Sequence, residues 1–317
     1  MALELNYSTL AGQESMLRDS VRCKAFQQAI TAAVTPGCTV LDIGAGTGIL
    51  SLFAAQAGAG HVYAVEQTQI VDVARRIIAT NGFSDRITVI QGDITKVELP
   101  EKVDVIVSEW LGSYAVDENL LPVVVQARER WLKPGGRMIP GSVKVWMSLA
   151  FDEFLQQEVD FWRSEPYGLD LELISQNAAR RMDCFCNHIN QKHLLCEPQL
   201  MWNIDCQNCP LELVVQPWNF RSQFMAEREG EFNVLAAWFQ ANLFDEIGVT
   251  NGPSDPDTHW GRQIFPVGKN LFLKSGSEVE VDFTHEPRGT GESRALWSIK
   301  QDDYHFNSEG TTLLVDK

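Results

Sequence analysis

The chain has 317 residues, of which 44% are hydrophobic, and this proportion is enough for one large or two ordinary folded domains. Its 42 acidic and 26 basic side chains give a formal charge of −16, which argues against binding to a nucleic-acid backbone and favours cationic substrates. Because no basic segment followed by an apolar core opens the chain, and no apolar run of about 18 residues occurs, the sequence predicts a soluble, cytoplasmic protein with no membrane partner.

Two kinds of periodic segment occupy the first part of the chain. Apolar residues at helical spacing predict one or two helices within residues 8–34, and Pro36 and Gly37 end them. Residues 40–50 then form an apolar strand pattern that breaks into alternating glycines and resumes as a helix pattern up to Ala57. Glycine adopts positive φ and carries no Cβ, so a strand, a Gly-x-Gly-x-Gly turn and a helix in series predict a nucleotide-binding corner.

The spacing of the glycines indicates which nucleotide binds. Gly44, Gly46 and Gly48 lie closer together than the Gly-x-Gly-x-x-Gly glycines that seat a pyrophosphate in dinucleotide enzymes. The second predicted strand ends at Glu66, 18 residues after Gly48, where a carboxylate can accept both hydroxyls of a ribose. With Asp42 ahead of the first glycine, the segment resembles motif I of class I S-adenosylmethionine (SAM) methyltransferases. A glycine turn without a ligand is the alternative.

Strand and helix patterns keep alternating after this corner. The predicted helices are residues 70–81 and 120–132, the predicted strands are residues 62–66, 87–90 and 103–109, and residues 133–136 form a predicted turn. The last of these strands delivers Glu109 at its carboxyl end, which is the edge where ligand crevices of such sheets lie. The first part of the chain is therefore predicted to be a Rossmann-like α/β domain.

The alternation stops near Pro140, and the pattern changes to short strands and a Trp-rich stretch. We therefore predict a SAM-binding domain at residues 1–140 and a mostly β, barrel-like substrate domain at residues 141–317. Within the second domain the predicted strands include residues 143–147, 211–215 and 279–283, and residues 151–195 form a more helical insertion.

The chain has seven cysteines, an odd number that makes a framework of disulfides an unlikely organisation. Five of them cluster at Cys184, Cys186, Cys196, Cys206 and Cys209. The last pair is a C-x-x-C, so a zinc site is the alternative that the pattern leaves open. Because the pair is not repeated, as it is in stronger structural zinc signatures, we expect ordinary thiols and no metal.

Two glutamates bracket a glycine-containing loop directly after the strand that ends at Glu109. Glu109 and Glu118 lie nine residues apart, and a hairpin-shaped loop can aim both carboxylates at one point. A guanidinium presents its N–H donors in a planar fork that matches paired carboxylates, so this loop suits a guanidino substrate. Two acids in a loop are often no more than solvated acids, and that alternative stands for the pair taken in isolation.

Four separated segments then resemble one family. Residues 108–118 match Ser-Glu-x-x-Gly-x-x-x-x-x-Glu, and residues 258–260 are Thr-His-Trp. Residues 13–22 resemble a lid helix and residues 167–170 a dimerisation arm. From about residue 7 to residue 280 the chain thus resembles the protein arginine methyltransferase family. The resemblance implies a Rossmann-like methyltransferase domain, a barrel-like domain with a helical arm, SAM as cofactor and a homodimer.

The resemblance also implies roles for residues on the cofactor side of the site. These are Arg22 for the carboxylate of SAM, Asp42, Gly44 and Gly46 for its methionine part, Glu66 for its ribose, Asp93, Ile94 and Thr95 for its adenine, and Glu109 beside the donor.

On the acceptor side, the resemblance implies that Glu109 and Glu118 grip the guanidinium and that His259 pairs with Asp19. This pair ties the two domains together and can help to carry a proton away, although a structural role for His259 is the alternative. Three further residues are implied at the acceptor, namely Tyr7, Met16 and Trp260.

The chain departs from the family pattern mainly on the acceptor side. Of the N-terminal aromatic motif, only Tyr7 matches. Three other positions differ from the family: Gln13 replaces a histidine, Asp117 replaces an aromatic residue and Leu120 replaces a methionine. These changes lead us to favour slightly an enzyme that methylates free arginine or a small guanidino metabolite. The alternative is an enzyme acting on arginine in polypeptides, which the acidic surface would attract. A SAM-binding regulator without activity is the third interpretation, and the intact glutamate pair argues against it.

Overall fold

A parallel five-stranded sheet forms the centre of the first part of the chain in the computed structural model, which describes residues 9–289 and 291–310. The strands are β1 (Thr39–Ile43), β2 (His61–Glu66), β3 (Ile87–Gln91), β4 (Val103–Ser108) and β5 (Leu132–Ile139). All five residues of β1 are buried, as expected for a strand covered by helices on both faces. The strand order is β3-β2-β1-β4-β5, so β1 to β3 are added toward one edge of the sheet and β4 and β5 toward the other. A ligand crevice is expected between β1 and β4, where this change occurs.

Five helices cover this sheet. They are α1 (Leu10–Arg18), α2 (Ser20–Ala33), α3 (Ile49–Gln56), α4 (Val71–Thr80) and α5 (Leu121–Trp131). Asp19 separates α1 from α2 and accepts a hydrogen bond from the backbone N–H of Arg22, so its side chain caps the N-terminus of α2. The predicted helices and parallel strands are confirmed, with ends that move by one to three residues.

Two antiparallel sheets form most of the second part of the chain. Their strands are β6 (Ser142–Ala150), β7 (Gln199–Asp205), β8 (Trp218–Met225), β9 (Gly230–Phe244), β10 (Ile247–Thr250), β11 (Gln263–Leu273), β12 (Glu278–Pro287), β13 (Ser293–Gln301) and β14 (Tyr304–Asn307). One sheet has the order β10-β9-β6-β7 with β11 also paired to β9, and the other is β14-β13-β12-β8. The sheets pack through aromatic rings: Phe265 of β11 lies 4.9 Å from Phe283 and 5.3 Å from Trp297 between centroids. The predicted α/β fold followed by a mostly β part is confirmed.

A helical segment interrupts the β part where the sequence predicted an insertion. It contains α6 (Glu153–Arg163), a 3₁₀ turn (Pro166–Gly168), α7 (Glu172–Ala178) and a second 3₁₀ turn (Gln191–His193). Several of its large apolar side chains are exposed: Tyr167 is 97% and Leu173 is 70% accessible to solvent. The division into domains at residue 141 stays a prediction.

One strand prediction is wrong. Residues 211–215 are not extended, since they form the short helix α8 (Leu211–Val214) directly after Pro210. Only Val214 is buried, and α8 packs against α5, whereas Leu213 is 63% exposed. Five alternating residues fit one helical turn as well as a strand, and packing decides between them.

The predicted turn at residues 133–136 lies inside β5 and interrupts its pairing. Leu132 pairs with Val103 and Arg137 pairs with Val105, so four residues of β5 bulge out opposite Asp104. Lys133, the first residue of this bulge, donates from Nζ to Asp104 at 3.0 Å. Among the helices that the structure describes, none combines the length and apolarity that crossing a bilayer requires.

Candidate active site

A cavity of about 680 Å³ opens at the carboxyl edge of the parallel sheet, beside the reversal of strand order between β1 and β4. Its walls come from the lid helices, the glycine turn, the ends of β2 and β4, and segments of the second part of the chain. The predicted site residues that line it are Met16, Arg22, Gly44, Gly46, Glu66, Asp93, Ile94, Glu109, Glu118 and His259. The fold therefore brings most of the predicted residues to one place.

The glycine turn needs glycine for its backbone shape and for close approach. Gly44, Gly46 and Gly48 all have positive φ, at 70°, 55° and 82°. The side chain of Gln13, from α1, lies so close to Gly46 that a Cβ there would sit 2.7 Å from Gln13 Oε1. The turn thus presents bare backbone to the cavity, with the lid helix packed over it.

Glu66 is held at the end of β2 by backbone donors. Its Oε2 accepts the N–H of Gly46 at 2.9 Å, and its Oε1 accepts the N–H of Thr68 at 2.7 Å. The residue is 7% exposed and lines the cavity. Each carboxylate oxygen can accept more than one hydrogen bond, so the fixed Glu66 can still accept hydroxyl groups of a ligand.

Asp42 lies outside the cavity lining, and its expected contact with the methionine part of the cofactor stays a prediction. It is fully buried behind the glycine turn, where Ser51 Oγ donates to its Oδ2 at 2.6 Å. Burial raises the pKa of Asp42 to about 6 from its ordinary value of 3.8, although the hydrogen bonds from Ser51 act in the opposite direction. Asp42 therefore supports the turn from behind.

Thr95 also stays outside the cavity lining, whereas Asp93 and Ile94 belong to it. The backbone N–H and Oγ1 of Thr95 both donate to Asp93 Oδ1, at 2.9 and 2.7 Å. These hydrogen bonds lower the pKa of Asp93 and fix its carboxylate at the cavity edge. Thr95 is thus a positioning residue for Asp93.

Arg22 and Glu109 form an ion pair inside the cavity. Glu109 Oε2 accepts Nε of Arg22 at 3.0 Å and a terminal nitrogen of the same guanidinium at 2.9 Å, and both side chains are less than 10% exposed. The other oxygen, Oε1, accepts the backbone N–H of Leu111 at 2.9 Å. Burial lowers the pKa of Arg22, but the charge of Glu109 outweighs it and the net shift is upward.

The loop between Glu109 and Glu118 is shaped by Asp117. Its carboxylate accepts the backbone N–H groups of Ser113 at 3.0 Å and Tyr114 at 3.2 Å. A Cβ on Gly112 would lie 2.2 Å from the same carboxylate, so this fold of the loop requires glycine there. Asp117 therefore faces the loop backbone and is not part of the cavity wall, while Glu118 is.

His259 and Asp19 join the two parts of the chain. Asp19 Oδ2 accepts both the ring Nδ1 of His259 at 2.8 Å and its backbone N–H at 2.9 Å, and both side chains are at most 5% exposed. Burial raises the pKa of Asp19, but the hydrogen bonds from His259 and Arg22 outweigh that effect and lower it. His259 lines the cavity and Asp19 lies behind it.

Trp260 is buried and lies outside the cavity lining, and its expected contact with the acceptor stays a prediction. Its ring packs edge-on against Phe239 at 5.0 Å, and its carbonyl accepts Ser113 Oγ at 2.8 Å. Trp260 thus joins the loop that bears the two glutamates to the segment that bears His259. The other expected acceptor residue, Tyr7, lies outside the described residues.

Cys184 and Phe185 are among the cavity-lining residues that sequence patterns did not assign to the site. Both follow α7, in a stretch that the sequence assigned to the helical insertion, and Cys184 was also counted in the cluster of five cysteines. No sequence motif marks either residue as part of the site, because each reaches the cavity only through packing against residues 258–264, which are distant in sequence. In the part of the chain that the structure describes, no three or more His, Cys, Asp or Glu side chains are grouped so that they could hold a metal ion.

Two family models match the chain. The arginine methyltransferase oligomerization subdomain matches residues 143–308, and a methyltransferase domain matches residues 40–136. Together they cover both parts of the fold.

Curated proteins from plants and animals are similar over most of the chain. Protein arginine N-methyltransferase 1 of Oryza sativa is 35% identical over 291 residues, which are 89% of this chain and 73% of the rice protein. Protein arginine N-methyltransferase 6 of Xenopus laevis is 31% identical over 290 residues, or 89% of this chain and 85% of the frog protein.

Solved structures share the fold. The Trypanosoma brucei PRMT1 enzyme-prozyme heterotetrameric complex with AdoHcy superposes with a TM-score of 0.85 at 24% identity, over 95% of this chain and 98% of that chain. Arabidopsis thaliana protein arginine methyltransferase 10 superposes with a TM-score of 0.79 at 26% identity, again over 95% and 98% of the two chains.

Proposed function

This chain belongs to the protein arginine N-methyltransferase family, and we propose that it transfers methyl groups from SAM to arginine side chains in polypeptides. It is a SAM-dependent arginine N-methyltransferase. The sequence slightly favoured free arginine as acceptor, but the similar proteins are named as protein arginine N-methyltransferases and support the alternative. The observation that carries the proposal is that both glutamates of the loop line the same cavity as the glycine turn.

The cavity fits the cofactor. Glu66 is fixed by two backbone donors and keeps acceptor capacity for ribose hydroxyls, and the turn at Gly44 and Gly46 admits close backbone contact. When bound, SAM supplies a methyl group on a positively charged sulfur. We assign Asp93 and Ile94 to the adenine end, and Arg22 to the carboxylate of SAM.

Arg22 can serve the cofactor and Glu109 together. A guanidinium has five N–H donors, and the contacts to Glu109 use its Nε and one terminal nitrogen. Another terminal nitrogen donates to Cys23 Sγ at 3.8 Å, and the other N–H donors are available for the carboxylate of SAM. Glu109 Oε1 accepts one N–H, that of Leu111, so it keeps acceptor capacity for the guanidinium of the substrate.

Glu109 and Glu118 would prepare the acceptor nitrogen. A guanidinium has a pKa near 13.8, so its nitrogens carry little nucleophilic lone-pair density at neutral pH. Two carboxylates can draw the positive charge onto the nitrogens that they touch and hold the remaining nitrogen in line with the methyl group. Such placement is worth several kcal/mol, up to about 7 to 11 in the best intramolecular models.

His259 is proposed to accept or relay the proton that methyl transfer releases. Because its Nδ1 faces Asp19, its other ring nitrogen is left to act toward the cavity. The same contact ties the lid helices to the second part of the chain, so His259 has a structural role as well.

A homodimer is also proposed. The matched model of residues 143–308 describes an oligomerization subdomain, and the helical segment of residues 151–195 exposes Phe154, Tyr167 and Leu173 at 60%, 97% and 70%. Apolar side chains exposed to that degree on one segment are typical of a protein interface. A cytoplasmic location stays a prediction.

A trial with two acceptors tests the function. Wild-type protein is incubated with SAM and either an arginine-rich peptide or free L-arginine, and the mass of each acceptor is measured. We expect a gain of methyl mass on the peptide, at a kcat/KM at least about tenfold higher than on free arginine. Methylation of free arginine with an unmodified peptide would reject the proposed acceptor, and no transfer to either would reject the function.

A further inference from the structure

The segment that follows α7 reaches the active-site cavity from the second part of the chain. Cys184 and Phe185 line the cavity together with Glu118, Leu120 and His259. Both residues are partly buried. Because Cys184 also lies near enough to Asp117 and Glu118 to feel their charges, we place both residues on the acceptor side of the cavity.

Backbone hydrogen bonds hold this segment beside the Thr-His-Trp motif. Ile264 donates its N–H to the carbonyl of Asp183 at 2.9 Å, and Cys186 donates to the carbonyl of Arg262 at 3.0 Å. Asn187 Nδ2 donates to the carbonyl of Thr258 at 2.9 Å. Three hydrogen bonds thus attach residues 183–187 to the segment that carries His259.

Phe185 itself has a strained backbone. Its φ is 61°, in the left-handed region that costs a residue other than glycine on the order of 1–3 kcal/mol. Contact with Gly261 is close enough that a Cβ there would lie 2.3 Å from Phe185 Cα and 2.1 Å from its carbonyl carbon. Strained residues that the surroundings hold in place concentrate at functional sites.

We propose that Phe185 forms the outer wall of the acceptor channel and packs against the aliphatic stem of the substrate arginine. The inference rests on the proposed function. An arginine side chain carries a charged tip on an apolar stem, and such stems are stabilised by apolar surface while the tip meets polar groups. Glu109 and Glu118 supply polar groups to the cavity wall, and Phe185 with Leu120 supplies apolar surface to the same wall.

Cys184 adds apolar contact beside Phe185. Burial and the neighbouring charges of Asp183, Asp117 and Glu118 raise the pKa of its thiol to about 12, so it stays protonated at neutral pH. A protonated thiol behaves as a small apolar group. Cys184 and Phe185 therefore both offer apolar surface to the stem.

Phe185→Ala tests this contact, with steady-state kinetics on two acceptors. One is an arginine-containing peptide and the other is methylguanidine, which has the charged tip but no stem. We expect the KM for the peptide to rise about tenfold, because apolar burial is lost, with kcat and SAM affinity changed by less than about twofold. The KM for methylguanidine should stay within about twofold.

Two further variants complete the test. Phe272→Ala is the matched control, because Phe272 is 55% exposed on β11 and does not line the cavity. Phe185→Leu keeps much of the apolar surface and should recover most of the peptide KM. An unchanged peptide KM, or an equal rise for both acceptors, would overturn the stem contact while leaving the methyltransferase function intact. A wild-type protein inactive on both acceptors would instead overturn the function, and the stem contact with it.

Discussion

Two walls of the cavity are held in place in different ways. The cofactor wall, formed by Gly44, Gly46, Glu66 and Asp93, is fixed by hydrogen bonds between residues that are near in sequence or on adjacent strands, such as Gly46 to Glu66 across 20 residues. The acceptor wall, formed by Glu118, Phe185 and His259, depends on contacts such as Asp19 to His259 across 240 residues and Ser113 to Trp260 across 147.

The difference has a consequence for substitution. A change in the cofactor wall should act on SAM binding and leave the acceptor contacts in place. A change in the acceptor wall should act on turnover or on acceptor affinity while SAM still binds. The following substitutions test whether the two walls are separable in this way.

Glu118→Gln should have the largest effect. The substitution keeps the shape of the side chain but removes the negative charge that we propose to contact the substrate guanidinium. We therefore expect kcat to fall on the order of 100- to 1,000-fold. SAM affinity, measured by calorimetry, should change by less than about threefold. Glu246→Gln is the matched control, because Glu246 is exposed and does not line the cavity. A large loss of SAM affinity would show that the walls are not separable.

His285 gives a test of what anchors the acceptor wall. Its Nδ1 lies 3.2 Å from Tyr114 Oη, which belongs to the loop between the two glutamates. Burial lowers the pKa of His285 to about 4 from an ordinary 6.5. As the pH falls below 6.5 the unfolded chain binds a proton that the folded chain does not yet bind, so stability present above pH 6.5 is lost toward pH 4.

His285→Gln removes this titration. The loss of unfolding free energy between pH 8 and pH 5, measured by urea denaturation, should be about 2 kcal/mol smaller in the variant than in the wild type. His305→Gln, at an exposed position on β14, should retain the wild-type difference. An unaltered pH dependence in His285→Gln would mean that His285 is not the group responsible.

Gly46→Ala tests the cofactor wall. Alanine at position 46 would have to keep a φ of 55°, and its Cβ would displace the amide end of Gln13. We therefore expect the dissociation constant for SAM to rise about tenfold. The KM for a peptide acceptor at saturating SAM should stay within about twofold. Gly82→Ala is a matched control, with a φ of 77° but open space around the Cβ. If Gly82→Ala weakens SAM binding equally, general strain explains the loss.

Asp19→Asn should have the smallest effect. Asparagine caps a helix about as well as aspartate, so Oδ1 can still accept the N–H of Arg22, but its Nδ2 is a donor and cannot accept the hydrogen bonds that His259 gives to Asp19 Oδ2. We expect kcat to fall about fivefold, with an altered pH–rate profile. Asp152→Asn is the control, since Asp152 caps α6 and lies 3.0 Å from His188 away from the cavity. An unchanged pH–rate profile would leave His259 with only its structural role.

The cofactor wall could largely be predicted from the sequence. The glycine spacing, the acid at the end of β2 and Glu109 after β4 are local features, because strand, turn and helix patterns are read within a few residues. The resemblance also assigned Asp42 and Thr95 to the cofactor, and these two roles stay predictions, because the side chains lie outside the cavity lining. Local patterns also predicted a strand at residues 211–215, where the structure has α8, because five alternating residues fit one helical turn as well as a strand.

The acceptor wall was decided by the tertiary structure. Motif resemblance identified Glu118 and His259, but Trp260 is buried behind the wall and Phe185 carried no signal at all. The placement of Phe185 requires Gly261, 76 residues later in the sequence, to leave room for its backbone. Sequence periodicity describes which face of an element is apolar, whereas contact between distant segments depends on how whole elements pack, and that information exists only in the folded chain.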